Sequence, residues 1–141
     1  ADECGRPRGL VCRRTRPQAP SLDGGVAAAH DWMDARTSAV VAYNDMMAIG
    51  FMKACQHAGL RVPQDVSVAG VDNSISSVLT TPTLTTVAPS TSLIGARAAR
   101  ALITQLRHRS TPSAETIVVP MELHVRDSVG PVRQAARKEG P

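Results

Sequence analysis

The stretch Thr37–Asn73, TSAVVAYNDMMAIGFMKACQHAGLRVPQDVSVAGVDN, alternates two short β-branched runs with one helical segment. Thr37 to Tyr43 is apolar and brief, as a strand buried on both faces is. It stops at Asn44-Asp45, and a helical pattern follows at once from Met46 to Ala58, closed by Gly59. An Asn or Asp at the start and a Gly just past the last turn are the expected helix boundaries. A turn through Pro63 leads to a second apolar strand, Val66 to Val71, which ends at Asp72-Asn73. Strand, helix, strand with no polar alternation in the strands predicts an α/β fold built on a parallel sheet.

The pattern extends outward from there. Upstream, Val26 to Ala35 forms a helix after Gly24 and Gly25. Downstream, a short helix is predicted over 74–79 before Pro82 breaks it, and a third strand over 84–87. Ser90 or Thr91 then caps a long helix, with Ile94, Ala98, Ala101, Leu102 and Leu106 on one face and Arg97, Arg100 and Arg107 on the other. Residues 116–125 are strand-like, although Pro120 forbids a regular central ladder at that point.

Composition narrows the function. The chain has 141 residues, 43% hydrophobic and 20% charged, which is globular and neither disordered nor membrane-spanning. Of the net charge of +4, most belongs to residues 1–20, which hold five arginines against Asp2 and Glu3. This basic arm has three prolines and no sustained period, and is expected to be irregular. The rest of the chain is close to neutral. Three aromatic residues, Trp32, Tyr43 and Phe51, are too few for a platform that stacks single-stranded bases. Cys4, Cys12 and Cys55 form neither a disulfide framework nor a zinc cluster, so no metal is expected. An odd cysteine count without an export signal fits the cytoplasm. No nucleophile elbow, Walker loop or dinucleotide fingerprint is present, and His30, His57, His108 and His124 have no acid at a telling spacing. No enzyme and no cofactor is indicated.

In parallel sheets, ligands bind at the carboxyl ends of the strands. Two strands here end in polar pairs, Asn44-Asp45 and Asp72-Asn73. Either pair serves equally as helix caps and turn residues.

At these same residues the chain resembles the LacI/GalR transcriptional regulators, in their effector-sensing domain. The resemblance rests on Ala39 to Gly50, on Gly59 to Asn73, on Pro82-Thr-Leu84-Thr-Thr86-Val and on Val119 to Ser128, in order and without a gap from about Ser38. It implies a periplasmic-binding-protein-like fold of two α/β lobes around a ligand cleft, with mostly the second lobe present and incomplete. On this reading residues 21–128 are a partial sensor domain. Residues 21–84 lie in the second lobe, 85–123 return to the first, 124–128 cross back, and 129–141 are a polar tail. The DNA-binding headpiece and most of the first lobe are expected to be missing, and Ala1 at the start fits a fragment.

The resemblance also assigns roles. Asn44 and Asp72 match effector contacts, which would bind a small molecule such as a sugar, while Asp45 and Asn73 fit capping and turn positions better. Arg6 in Arg6-Pro-Arg-Gly9-Leu10 resembles a ligand-contacting arginine, at a spacing from Asn44 too short for the family. On the helix from 45 to 58, Met47, Phe51, Ala54, Cys55 and Ala58 should face the sheet. Ile49 lies opposite, with Met46 and Gly50, and is the candidate for the homodimer interface of the family. The implied function is effector sensing that controls operator DNA binding through a headpiece. The alternative is a sugar-binding protein of a transport system.

Overall fold

The computed structural model describes residues 11–108 and 116–131. Arg6 and Cys4, singled out above, lie outside them. Helix α1 spans Leu22–Met33 and strand β1 Ala39–Val41; helix α2 spans Asp45–His57 and strand β2 Ser67–Val71. A single turn, α3, covers Ser76–Leu79, followed by β3 over Thr85–Pro89, the long helix α4 over Thr91–His108, and β4 over Met121–His124. Residues 11–19 carry no regular element.

The four strands form one sheet in chain order. β1, β2 and β3 run parallel, as their apolar composition predicts, with Val41 opposite Ala69 and Val71 opposite Val87. β4 is the exception. It runs antiparallel to β3, from Thr86 opposite His124 to Pro89 opposite Met121. It starts immediately after Pro120, whose missing N–H keeps the strand shorter than the 116–125 expected from its apolar residues. Ser90 immediately precedes α4, its carbonyl accepting from the Ile94 N–H at 2.9 Å, and its hydroxyl donates to the Pro120 carbonyl at 3.0 Å, which ties the two crossing segments together.

α1 begins four residues earlier than the sequence pattern suggests. Ser21 is its cap, with the side chain accepting from the Gly24 N–H at 3.1 Å. Gly24 and Gly25 lie inside the helix, because a Cβ on Gly25 would stand 2.1 Å from the Met47 carbonyl oxygen of α2. α1 and α2 thus touch backbone to backbone, and Gly50 makes the reciprocal approach, 2.0 Å from the Leu22 carbonyl for a Cβ built there.

α2 is therefore enclosed by α1 on one side and the sheet on the other. The sheet-facing stripe expected of it is only partly observed. Phe51, Ala54 and Cys55 are buried, but Ala58 is exposed, and Met52, outside that stripe, is among the most deeply buried side chains. With a neighbour on both flanks, a helix has no single apolar face. The core joins these residues to Trp32, Val66, Val68 and Leu84. Trp32 meets Phe51 edge to face at 5.3 Å, and its indole N–H donates to the Thr37 hydroxyl at 3.0 Å.

α4 is different. Every described side chain from Thr91 to Thr104 is exposed, including Leu93, Ile94 and Leu102.

Candidate functional site

The last registered pair of β1 and β2 is Val41 opposite Ala69. Asn44 and Asp72 each lie three residues further along their strands, so the topology brings both polar ends to one edge of the sheet. Their side chains meet different fates.

Asn44 is extended (φ −147°) and caps α2. Its Oδ1 accepts from the Met47 N–H at 2.9 Å, and its Nδ2 donates to the Pro20 carbonyl at 3.3 Å. The amide is half-buried and fixed from both ends. Asp72 has φ 108°, a conformation that an L residue adopts only under constraint. Its N–H donates to the Val87 carbonyl at 2.9 Å, which holds the backbone to β3. Its side chain is exposed, and the carboxylate has no hydrogen bond or ion pair among the described residues. It offers two free acceptor oxygens at the end of a parallel strand, where a ligand hydroxyl can donate to them.

The residues after Asp72 are clamped. Asn73 also has positive φ, 50°. Its N–H donates to Thr86 Oγ1 at 3.2 Å, and its Oδ1 accepts from Arg126 Nη2 at 2.7 Å. Ser74 donates to Asp45 Oδ2 twice, from its N–H at 2.7 Å and from its hydroxyl at 3.0 Å. The other Asp45 oxygen accepts from the Thr86 hydroxyl at 2.6 Å. Asp45 is 1% exposed. A Cβ on Gly70 would stand 2.4 Å from its Oδ1, so the glycine leaves room for the carboxylate. Arg126 completes the cluster, donating through Nη1 to Ser77 Oγ at 2.8 Å and to the Leu84 carbonyl at 2.7 Å.

Sequence reasoning placed Asp45 and Asn73 as ordinary cap and turn residues. Asn73 lies in the loop between β2 and α3, with positive φ. Asp45, by contrast, sends its side chain inward to the turn after β2. Arg126 was not singled out at all. An acid followed by two methionines at the start of a buried helix was the available signal for Asp45, since a buried carboxylate demands partners.

Ile49 is 5% exposed and belongs to the core. It walls a groove of about 400 Å³ shared with Leu22, Met46, Met52, Leu79 and Thr81, whose lining includes neither Asn44 nor Asp72. The exposed apolar surface beside it belongs to Met46, Val78 and Leu79. Among the described residues no group of three or more His, Cys, Asp or Glu is placed to hold a metal, and no helix is long and apolar enough to cross a membrane.

A family model for the periplasmic binding protein-like domain matches residues 1–129. The transcriptional regulator MalR of Streptomyces coelicolor is 41% identical over 108 residues, 77% of this chain and 31% of that protein. A solved LacI family transcriptional regulator from Enterococcus faecium, with bound ribose, superposes with a TM-score of 0.73 at 27% identity, over 83% of this chain and 43% of that one. The chain belongs to the LacI family, in its periplasmic binding protein-like domain. This LacI-family domain is also similar to the transcriptional repressor PurR of Mannheimia succiniciproducens, 41% identical over 97 residues, 69% of this chain and 29% of that protein. A solved complex of the transcriptional regulator CelR with cellobiose superposes with a TM-score of 0.73 at 32% identity, over 79% of this chain and 34% of that one. The LacI-family domain seen here spans about a third of the length of the curated relatives it matches.

Proposed function

We propose that the chain is the effector-sensing part of a LacI-type transcriptional regulator, and that Asp72 and Asn44 contact a sugar at the carboxyl ends of β2 and β1. The observation that carries this reading is the Asp72 side chain. It is exposed and unpartnered among the described residues, on a backbone at φ 108° that the neighbouring turn holds in place. An ionised carboxylate is suited to two ligand hydroxyls. Asn44 is already used as a cap, and contributes the remaining donor and acceptor capacity of its amide. Relatives solved with cellobiose and with ribose support a polyhydroxylated ligand.

The lobes follow from the same reading. Residues 21–84 form the second lobe, 85–123 pass to the first, and 124–128 return. The exposed face of α4 supports a passage out of the second lobe, while Thr85–Val87 of β3 pair with Ala69–Val71 of β2 and so begin the segment 85–123 inside the same sheet. The chain binds and does not catalyse, works in the cytoplasm, pairs with a second copy along the surface beside Ile49, and reaches operator DNA only through a headpiece. Effector binding then shifts the balance between two lobe arrangements that differ in DNA affinity.

The test is calorimetric titration of the regulator with cellobiose, ribose and lactose. For the sugar that binds, Asp72→Asn is expected to weaken affinity about 10- to 150-fold, as loss of a charge-assisted hydrogen bond worth about 1.5–3 kcal/mol does. Unchanged affinity would return Asp72 to a turn role.

A further inference from the structure

We infer that Asp45, Thr86 and Arg126 are positioning residues, which together fix the turn after β2 and so hold the Asp72 carboxylate out toward ligand. The inference rests on the reading of Asp72 as a ligand contact, and adds three residues that do not touch the ligand. The juxtaposition is specific. Among the described residues Asp72 itself is held through its backbone N–H alone, to the Val87 carbonyl. Its two successors carry the restraint. Asn73 is bound on its main chain by the Thr86 hydroxyl and on its side chain by the Arg126 guanidinium. Ser74 is bound on main chain and side chain by one oxygen of Asp45.

Thr86 is the link between the two halves. Its hydroxyl donates its one proton to Asp45 Oδ1 at 2.6 Å, and its lone pair accepts from the Asn73 N–H at 3.2 Å. The buried carboxylate thereby orients the hydroxyl so that only an acceptor faces Asn73. Two consecutive residues with positive φ that are not glycine need such external support. The supports come from outside the turn. Asp45 opens α2, Thr86 lies on β3, and Arg126 follows β4 with its own N–H donating to Thr85 Oγ1 at 2.8 Å. A shift of β3 against β4 therefore reaches the ligand carboxylate through Thr86 and Arg126, with no ligand contact of its own.

The experiment is hydrogen–deuterium exchange on the dilute full chain, resolved to single amides by mass-spectrometric fragmentation, with and without cellobiose or ribose. Thr86→Val keeps the shape and removes the hydroxyl; Thr86→Ser keeps the hydroxyl. Thr86→Val is expected to speed exchange at Asn73 and Ser74 by roughly three- to tenfold while the amides of α2 stay protected, and Thr86→Ser is expected to restore the native rate. Arg126→Lys, which loses the forked contact, should speed Asn73 alone. General loosening of the fold would move α2 as well, and Thr86→Ser would not separate from Thr86→Val. Native exchange at Asn73 and Ser74 in Thr86→Val, with α2 intact, would overturn the inference. Sugar reports on the other reading: if neither sugar slows exchange at 72–74 in the native chain while Thr86→Val still frees the turn, the clamp stands and Asp72 is no contact for those sugars. If sugar protects 72–74 equally in the native chain and in Thr86→Val, the ligand reading stands and the positioning role falls.

Discussion

Cys55 has no exposed surface, and burial pushes its thiol from 9.0 to about 11, with the Arg36 guanidinium pulling weakly the other way. The neutral thiol is the form that the folded core favours. Its contribution is complete below pH 9, where folded and unfolded chains are both protonated. It is lost as pH rises from about 9 to 11, because the unfolded chain ionises first. Urea denaturation should therefore show stability falling across that window, and Cys55→Ser should flatten the part of the fall that Cys55 causes. At pH 8 an alkylating reagent is expected to leave Cys55 untouched until the chain unfolds. Single residues were also where the sequence was hardest to read. Asn44 and Asp72 were visible as polar groups ending apolar strands, because that contrast is local. Asp45 and Thr86 lie 41 positions apart, and Arg126 and Asn73 lie 53 apart. No periodicity encodes such pairings; the packing of α2 on the sheet and the pairing of β3 with both β2 and β4 bring them together.

At the scale of elements, α2 and its flanking strands were legible because boundary residues and apolar runs agree. Asn44 caps, Gly59 adopts φ 75°, and each β-branched run is a strand. α1 was not placed correctly at its start, since glycines count against a helix by propensity and here serve a close approach. Gly50 puts a number on that approach. On propensity alone, Gly50→Ala should stabilise the helix by about 1 kcal/mol. The added Cβ would meet the Leu22 carbonyl oxygen at 2.0 Å, a backbone atom that cannot move aside without α1. Overpacking of this kind costs about 1–3 kcal/mol, so the net expectation is destabilisation. Gly95 is the control, since a Cβ there meets nothing within 4 Å. Gly95→Ala should raise helix content by circular dichroism, and Gly50→Ala should lower the denaturation midpoint. Stabilisation by both would mean that α1 and α2 are not in backbone contact.

At the scale of the molecule, the chain divides into a packed body and an uncovered arm. The body is α1, α2 and the sheet, closed around Trp32, Phe51, Met52 and Leu84. The arm is α4, whose Leu102 and Leu106 are 58% and 72% exposed, joined by Ile94, Ile103 and, on the adjoining segments, Val118 and Met121. Its amphipathic pattern was plain in the sequence, and none of the described residues covers it. Burying three or four such side chains on each of two copies is worth on the order of 10 kcal/mol, and a cost of association of about 4–5 kcal/mol leaves about 5–6 kcal/mol, a weak self-association near about 100 µM. Sedimentation velocity should show a monomer at low micromolar concentration and larger species as concentration rises. Leu102→Gln with Leu106→Gln keeps helix propensity and removes the apolar contact, so the double variant should lose the association that runs through α4, with an unchanged denaturation midpoint for the body. Hydrogen exchange gives the complementary reading. Amides of α2 and β2 should be protected to the limit of global unfolding, while those of α4 should exchange through local opening, because among the described residues no packed neighbour holds the helix. A monodisperse native chain at that concentration, with α4 as protected as α2, would show that the arm is covered in solution and that the body and α4 unfold as one unit.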